Sequence, residues 1–127
     1  MIMIVDDDAG MAETCSMMLE THGFEVCVAG SGAEALAKIR SGTPELLITD
    51  CAMPGMSGVE LSETLKAKAA TAALPILLMS ASARAEIPKS RSYDAFLRKP
   101  FLAENFLIEV RKLLAGIPAI PVHIIKV

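Results

Sequence analysis

The sequence predicts a single α/β domain, a doubly wound sheet of five parallel strands with helices on both faces. Three observations carry this. Short apolar runs of strand length alternate with helix-periodic segments along the chain. The run Leu46-Leu47-Ile48-Thr49 is leucine-rich and β-branched, as parallel strands buried on both faces are. Finally, Asp6-Asp7-Asp8, Asp50, Ser80 and Lys99 all stand at the ends of strand-like runs. Open α/β sheets bind their ligands at the carboxyl ends of strands, so these residues read as a site rather than a scatter.

Met1 to Val5 is the first strand, cut off by the three aspartates. Met11, Cys15, Met18 and Leu19 then recur at helical spacing, and Gly23 suits a C-terminal cap. Phe24 to Val28 alternates as a second strand. Ser31 with Glu34 three residues on has the form of a capping box opening a helix over Ala33–Arg40. Gly42 and Pro44 interrupt the chain before the Asp50 strand. A helix follows from about Ser57 to Ala69, with Leu61 and Leu65 on one face. Pro75 to Met79 is a fourth strand and Tyr93 to Arg98 a fifth. Leu102, Phe106, Val110, Leu113 and Leu114 line the inner face of the last helix. Strands separated by helices imply right-handed crossovers.

With 127 residues the chain supports one domain with a real core. Hydrophobic residues make up 53%, yet no apolar run approaches the length of a membrane span. No basic segment precedes the first apolar run, so neither a signal peptide nor a membrane association is expected. A net charge of −3 gives no reason to expect nucleic-acid binding. Cys15, Cys27 and Cys51 are odd in number and lack metal spacing, which fits reduced thiols in the cytoplasm. With no Trp and one Tyr, stacking platforms for bases or flavins are not expected.

If the strand ends converge, Asp6, Asp7 and Asp50 bring carboxylates together that cannot all ionise without compensation. A hard divalent cation resolves this, and Mg²⁺ favours carboxylates, backbone oxygen and water. Lys99 adds a positive charge able to reach a phosphoryl oxygen, and Ser80 a hydroxyl donor. A metal, a lysine and a carboxylate nucleophile suffice for phosphoryl transfer.

Over roughly residues 1–115 the chain resembles the receiver domains of two-component response regulators. The matching segments are Val5-Asp6-Asp7-Asp8, Asp50 with Met53-Pro54-Gly55-Met56-Ser57-Gly58, Ser80-Ala81 and Lys99-Pro100-Phe101. The resemblance implies a flavodoxin-like strand order of 2-1-3-4-5. It implies that Asp50 accepts phosphate from a histidine kinase or phosphotransfer protein. It further implies that Asp6, Asp7, Asp50 and the Ala52 carbonyl hold Mg²⁺, that Ser80 and Lys99 sense the phosphoryl group, and that the bond before Pro100 is cis. Such a module catalyses only its own phosphorylation and dephosphorylation, and it signals through protein–protein contact with a downstream partner. Residues 1–116 are then the receiver, with residues 117–127 an apolar tail, docked or disordered.

The chain also departs from the family pattern. Ser57 stands where many receivers carry Asp or Asn. Phe96 occupies the switch-aromatic position, often Tyr, so its coupling to Ser80 must rest on packing. Small residues (Ala52, Ala81, Ser82) flank the phosphoryl site. The stretch between Ser80 and Lys99 is short and contains Ile87-Pro88, where proline inside a helix costs roughly 3 kcal/mol. A short or irregular fourth helix is expected there. Five basic residues within 84–99 (Arg84, Lys89, Arg91, Arg98, Lys99) read by default as a solvated surface, or else as a basic docking segment. The tail has seven apolar residues of eleven and suits packing on its own domain or a second copy, making a homodimer one expectation.

Several residues have blander readings. Asp8 suits the solvated start of the first helix, Cys51 packing, and Met11, Met17, Met18 and Met79 core filling. Gly55 and Gly58 read as turn residues, and His22 and His123 have no ligand partners at metal spacing. Two rival functions stand beside the receiver. One is a haloacid-dehalogenase-type phosphohydrolase using the D-x-D within Asp6-Asp7-Asp8. The other is a degenerate receiver acting only as a binding scaffold. Stoichiometric labelling, turnover or neither would separate the three.

Overall fold

The computed structural model describes residues 1–81 and 92–116. Its elements run β1 (Ile2–Val5), α1 (Ala9–Thr21), β2 (Val26–Ala29), α2 (Gly32–Ile39), β3 (Leu46–Asp50), α3 (Gly58–Lys66), β4 (Ile76–Ser80), β5 (Ala95–Arg98) and α4 (Ala103–Leu114). The five strands form one parallel sheet in the order β2-β1-β3-β4-β5, as expected. The irregular helix expected between β4 and β5, the residues Ser82, Arg84, Lys89 and Arg91, and the tail with His123 all lie outside the described residues.

Alternation along the strands sorts the core into two layers. Ile2, Ile4, Leu46, Ile48, Leu77 and Met79 pack with α1 and α4 on one face, around Cys15, Leu19, Phe106 and Val110. Met3, Val5, Leu47 and Ile76 face the other way, against Ala35 and Ile39 of α2 and Leu61 and Leu65 of α3. Each fully buried Leu, Ile or Phe contributes roughly 1.5–3 kcal/mol, so both helical layers are held mainly by burial.

Some expectations need correction. β2 begins at Val26, because Phe24 N–H folds back onto the Leu19 carbonyl (3.1 Å) at the end of α1. Leu102 is 63% exposed, since it takes the extended N-cap position of α4 and Leu107 fills the inner face instead. Met17 is 59% exposed on the outer side of α1, so it does not fill the core. α3 stops at Lys66, where the Thr71 hydroxyl donates to the Leu65 carbonyl and Lys66 Nζ to that of Leu74.

The capping boxes also differ. Ser31 Oγ accepts from Glu34 N–H, but the Glu34 carboxylate returns to Gly30 N–H (2.9 Å) and to Lys38 instead of closing on Ser31. Both halves of a box are made at Ser57 and Glu60. Ser57 therefore has a definite local role, as the N-cap of α3.

Lys66 and Asp94 fasten the far end of the sheet. The Asp94 carboxylate accepts from Lys66 Nζ (2.9 Å) and from Ile76 N–H (2.8 Å), joining α3, β4 and the approach to β5. Asp94→Ala strips a part-buried N–H of its acceptor, which costs about 1–2 kcal/mol. Urea unfolding should show that loss with an unchanged slope.

Candidate functional site

Strand register converges the site. Val5 pairs with Thr49, so Asp6 and Asp50 leave neighbouring strands side by side. Asp50 pairs with Met79 and Ser80 with Arg98, which sets Ser80 and Lys99 on the other side of Asp50. With neighbouring strands about 4.8 Å apart, the carboxylates must meet. One oxygen each from Asp6, Asp7 and Asp50 lies within 4.8 Å of the others. Asp6 is 2% exposed and Asp50 9%, whereas Asp7 opens to solvent.

Lys99 bridges two of the three acids. Its Nζ lies 3.0 Å from Asp50 Oδ1 and 3.3 Å from Asp6 Oδ2, and the Lys99–Pro100 peptide bond is cis. Lys99 N–H also donates to the Ser80 carbonyl (2.7 Å), tying the end of β5 to that of β4. Of the basic run over residues 84–99, then, Lys99 belongs to the site and not to an outer surface.

Burial pushes the Asp50 carboxyl above its ordinary value. The hydrogen bond and charge of Lys99 oppose that push, while Asp6 and Asp7 add to it. Burial alone would lower Lys99, but Asp50 and then Asp6 carry its ammonium above the usual lysine range. Three carboxylates face one ammonium, so two negative charges remain uncompensated. All the donors are hard oxygens, a set that fits a small divalent cation such as Mg²⁺.

The loop after Asp50 is closed on itself. Cys51 N–H donates to the Met79 carbonyl (2.7 Å), and the Cys51 carbonyl accepts from Gly58 N–H (2.9 Å). Gly55 turns the loop at φ +75°. Gly58 is more than the turn residue expected: a Cβ there would lie 2.1 Å from the Asp50 carbonyl oxygen. The Thr49 hydroxyl donates to that same oxygen (3.0 Å). The backbone behind the candidate nucleophile is thus pinned from both sides. Ala52 sits exposed in this loop and Ser80 is buried at the end of β4.

Asp8 caps α1, its carboxylate accepting from Gly10 and Met11 N–H (3.0 and 3.2 Å). It is therefore not aimed at the site, and the D-x-D arrangement of a phosphohydrolase is not assembled. Cys15 is pushed up to about 11, chiefly by burial, and Cys51 upward by burial and then by Asp50. Both stay neutral thiols at pH 7, and Cys15 packs in the core between the sheet and α4.

Phe96, the expected switch aromatic, is half-buried on β5. The Tyr93 ring lies 6.3 Å away at 55°, and the Arg98 guanidinium carbon stands 5.5 Å from the Phe96 centroid. The Arg98 contact was missed in the sequence, although two-residue spacing on a strand puts both side chains on one face. The steric need for glycine at position 58, against the Asp50 carbonyl, had no local signal.

A family description, the response regulator receiver domain, matches residues 2–111. The chain is 31% identical over 113 residues to the DNA-binding response regulator MtrA of Mycobacterium tuberculosis, covering 87% of this chain and 48% of that protein. It thus spans about half the length of the curated relatives it matches. Among solved structures, the receiver domain of NtrX from Brucella abortus superposes with a TM-score of 0.83 at 26% identity, covering 91% of this chain and 98% of that one. The Vibrio cholerae chemotaxis protein CheY4 gives 0.80 at 27% identity, with coverage of 88% and 96%.

Proposed function

Since this chain belongs to the response regulator receiver domain family, we propose that it is a phospho-accepting switch that takes a phosphoryl group on Asp50 from a histidine kinase or phosphotransfer protein. The observation that carries this is the meeting of Asp6, Asp7 and Asp50 within 4.8 Å, with Lys99 held on Asp50. In the transfer, the phosphorus–nitrogen bond of the donor histidine breaks and the nitrogen keeps the electron pair. An Asp50 carboxylate oxygen forms the new phosphorus–oxygen bond. A carboxylate needs no general base, so the work of the site is positioning and charge neutralisation. Asp6, Asp7, Asp50 and the Ala52 carbonyl would hold Mg²⁺, which when bound supplies positive charge toward the phosphoryl oxygens.

Lys99 then leaves Asp50 Oδ1 for a phosphoryl oxygen, and Ser80 donates to another. Both moves draw the ends of β4 and β5 toward the phosphoryl group, and Phe96 carries the change outward by packing against Tyr93 and Arg98. The output is protein–protein contact with a downstream partner. A cleft of about 250 Å³ lined by Met11, Met18, Pro100 and Phe101 opens beside Lys99, an apolar shelf for the donor protein. Among the described residues no helix is long and apolar enough to cross a membrane. We place the protein in the cytoplasm, with residues 1–116 as the receiver unit and 117–127 as an apolar C-terminal segment beyond it.

Two outcomes test this reading. A small acyl phosphate with Mg²⁺ should add one phosphoryl group per chain by intact mass, and Asp50→Asn should add none; labelling that survives Asp50→Asn defeats the proposal. Mg²⁺ alone should raise the melting temperature, by about 1.4 kcal/mol of stabilisation at ten times its Kd, and a chelator should reverse it. A melting curve indifferent to Mg²⁺ would remove the metal from the account.

A further inference from the structure

Met56 and Gly32 make a contact that the phosphoryl chemistry described above does not use. Gly32 opens α2, immediately after its N-cap Ser31, and is buried. A Cβ built on it would stand 2.8 Å from Met56 Sδ and 3.1 Å from both Met56 Cγ and Met56 Cβ. Met56 belongs to the loop closed by the Cys51–Gly58 hydrogen bond. Its side chain packs against the core layer containing Ala35, Ile39 and Met53. The loop therefore has three anchors: Gly58 against the Asp50 carbonyl, Met53 in the core, and Met56 on the first turn of α2. Ala52, the proposed backbone ligand, lies between Cys51 and the two methionines.

We propose that the Met56–Gly32 contact positions the loop carbonyl of Ala52 for a small cation, so that Gly32 and Met56 are positioning residues for Mg²⁺ selectivity. This rests on the reading of the acidic cluster as a Mg²⁺ site. A side-chain rotation can clear Met56 Sδ and Cγ from a new methyl on residue 32. Met56 Cβ is fixed to the loop backbone and cannot rotate away, so the loop itself must shift by a few tenths of an ångström. Mg²⁺ demands near-ideal octahedral geometry at about 2.0–2.1 Å, while Ca²⁺ accepts longer, looser shells. A shift of that size therefore penalises Mg²⁺ selectively.

The test is Mg²⁺ and Ca²⁺ titration of the whole chain, read by calorimetry and by melting temperature, in four proteins: the unaltered chain, Gly32→Ala, Met56→Ala and Leu65→Ala. Leu65 is a buried residue of α3 that supplies no ligand, and it reports the effect of destabilisation alone. Gly32→Ala and Met56→Ala should each weaken Mg²⁺ binding about tenfold, the usual scale for disturbing the support of a metal ligand, with a smaller loss for Ca²⁺. Leu65→Ala should lower the melting temperature and leave the Mg²⁺/Ca²⁺ ratio unchanged. An unchanged ratio in both loop variants would overturn the proposal, as would an equal fall in Leu65→Ala. If the unaltered chain bound no Mg²⁺, the underlying reading of the site would fail instead. Should Met56→Ala fail to fold, Gly32→Ala decides alone.

Discussion

Gly58→Ala should destabilise the protein by about 3 kcal/mol or more and at the same time spoil the proposed phosphoryl site. The added Cβ would meet the Asp50 carbonyl oxygen at 2.1 Å, with Cys51 Cα at 3.1 Å. Both are backbone atoms, so no rotamer change relieves the overlap and either β3 or α3 must move. Overpacking of a tight core commonly costs 1–3 kcal/mol, and an obstacle of backbone against backbone lies at or beyond the upper end. The gain from a stiffer unfolded chain, about 0.4–1 kcal/mol, opposes this without matching it. Any residual folded protein should accept phosphate poorly, because the carbonyl pushed aside belongs to Asp50 itself. Urea unfolding joined to labelling by an acyl phosphate reads both effects. Wild-type stability in Gly58→Ala would contradict the close approach of α3 to the Asp50 carbonyl.

Lys99→Ala should have the next largest effect, of a different kind. Lys99 is the cation bridging Asp6 and Asp50, whose side chains are 1% and 13% exposed. Removing one partner of a buried ion pair costs about 3–5 kcal/mol, because the remaining charges stay buried without compensation. We expect the lower end, since Asp7 opens the cluster to solvent.

The pH dependence in metal-free protein has a definite sign. The Asp50 carboxyl is raised above 3.8 in the folded state, so its ionisation costs folding stability as pH rises through that folded value. Lys99 holds that cost down, and without it the carboxyl rises further. The deficit of Lys99→Ala should therefore shrink as pH falls toward 4. On the alkaline side, the stabilising ammonium of the unaltered protein is fully present below 10.5 and is lost as pH rises through its raised folded value. Urea midpoints measured across pH check this, and a deficit independent of pH would contradict it. In labelling assays, Lys99→Ala should still take phosphate on Asp50 but fail to pass the change to Phe96.

The strands were the most legible part of the sequence. Leu46 to Asp50 is apolar on both faces because both faces of the sheet are covered, and its boundaries match the structure. Acidic residues and a lysine at strand ends could be read as a site because parallel strands all deliver their carboxyl ends to one edge. Helix ends were less legible. Glu34 at the third helical position looked like half of a capping box, yet an extended carboxylate reaches Gly30 N–H as easily, and Lys38 favours that choice. Leu102 continued the apolar spacing of α4, but one residue before the first turn the chain is extended and the side chain points elsewhere.

What could not be read were contacts set by packing. Nothing local distinguishes Gly58, where a Cβ would strike the Asp50 carbonyl, from Gly55, which only turns the loop. Lys99 could be read as a site residue from its strand end, but its bridge between Asp6 and Asp50 could not, since that follows from the register of β5 against β4.

The most direct test of the account is the position of the phosphoryl group. After treatment with an acyl phosphate and Mg²⁺, borohydride reduces an aspartyl phosphate to homoserine, which peptide mass spectrometry locates. The expected result is homoserine at position 50 and at no other aspartate, lost when a chelator is present. Homoserine at position 6, 7 or 8, or none at all in the folded protein, would contradict the assignment of Asp50 as the acceptor.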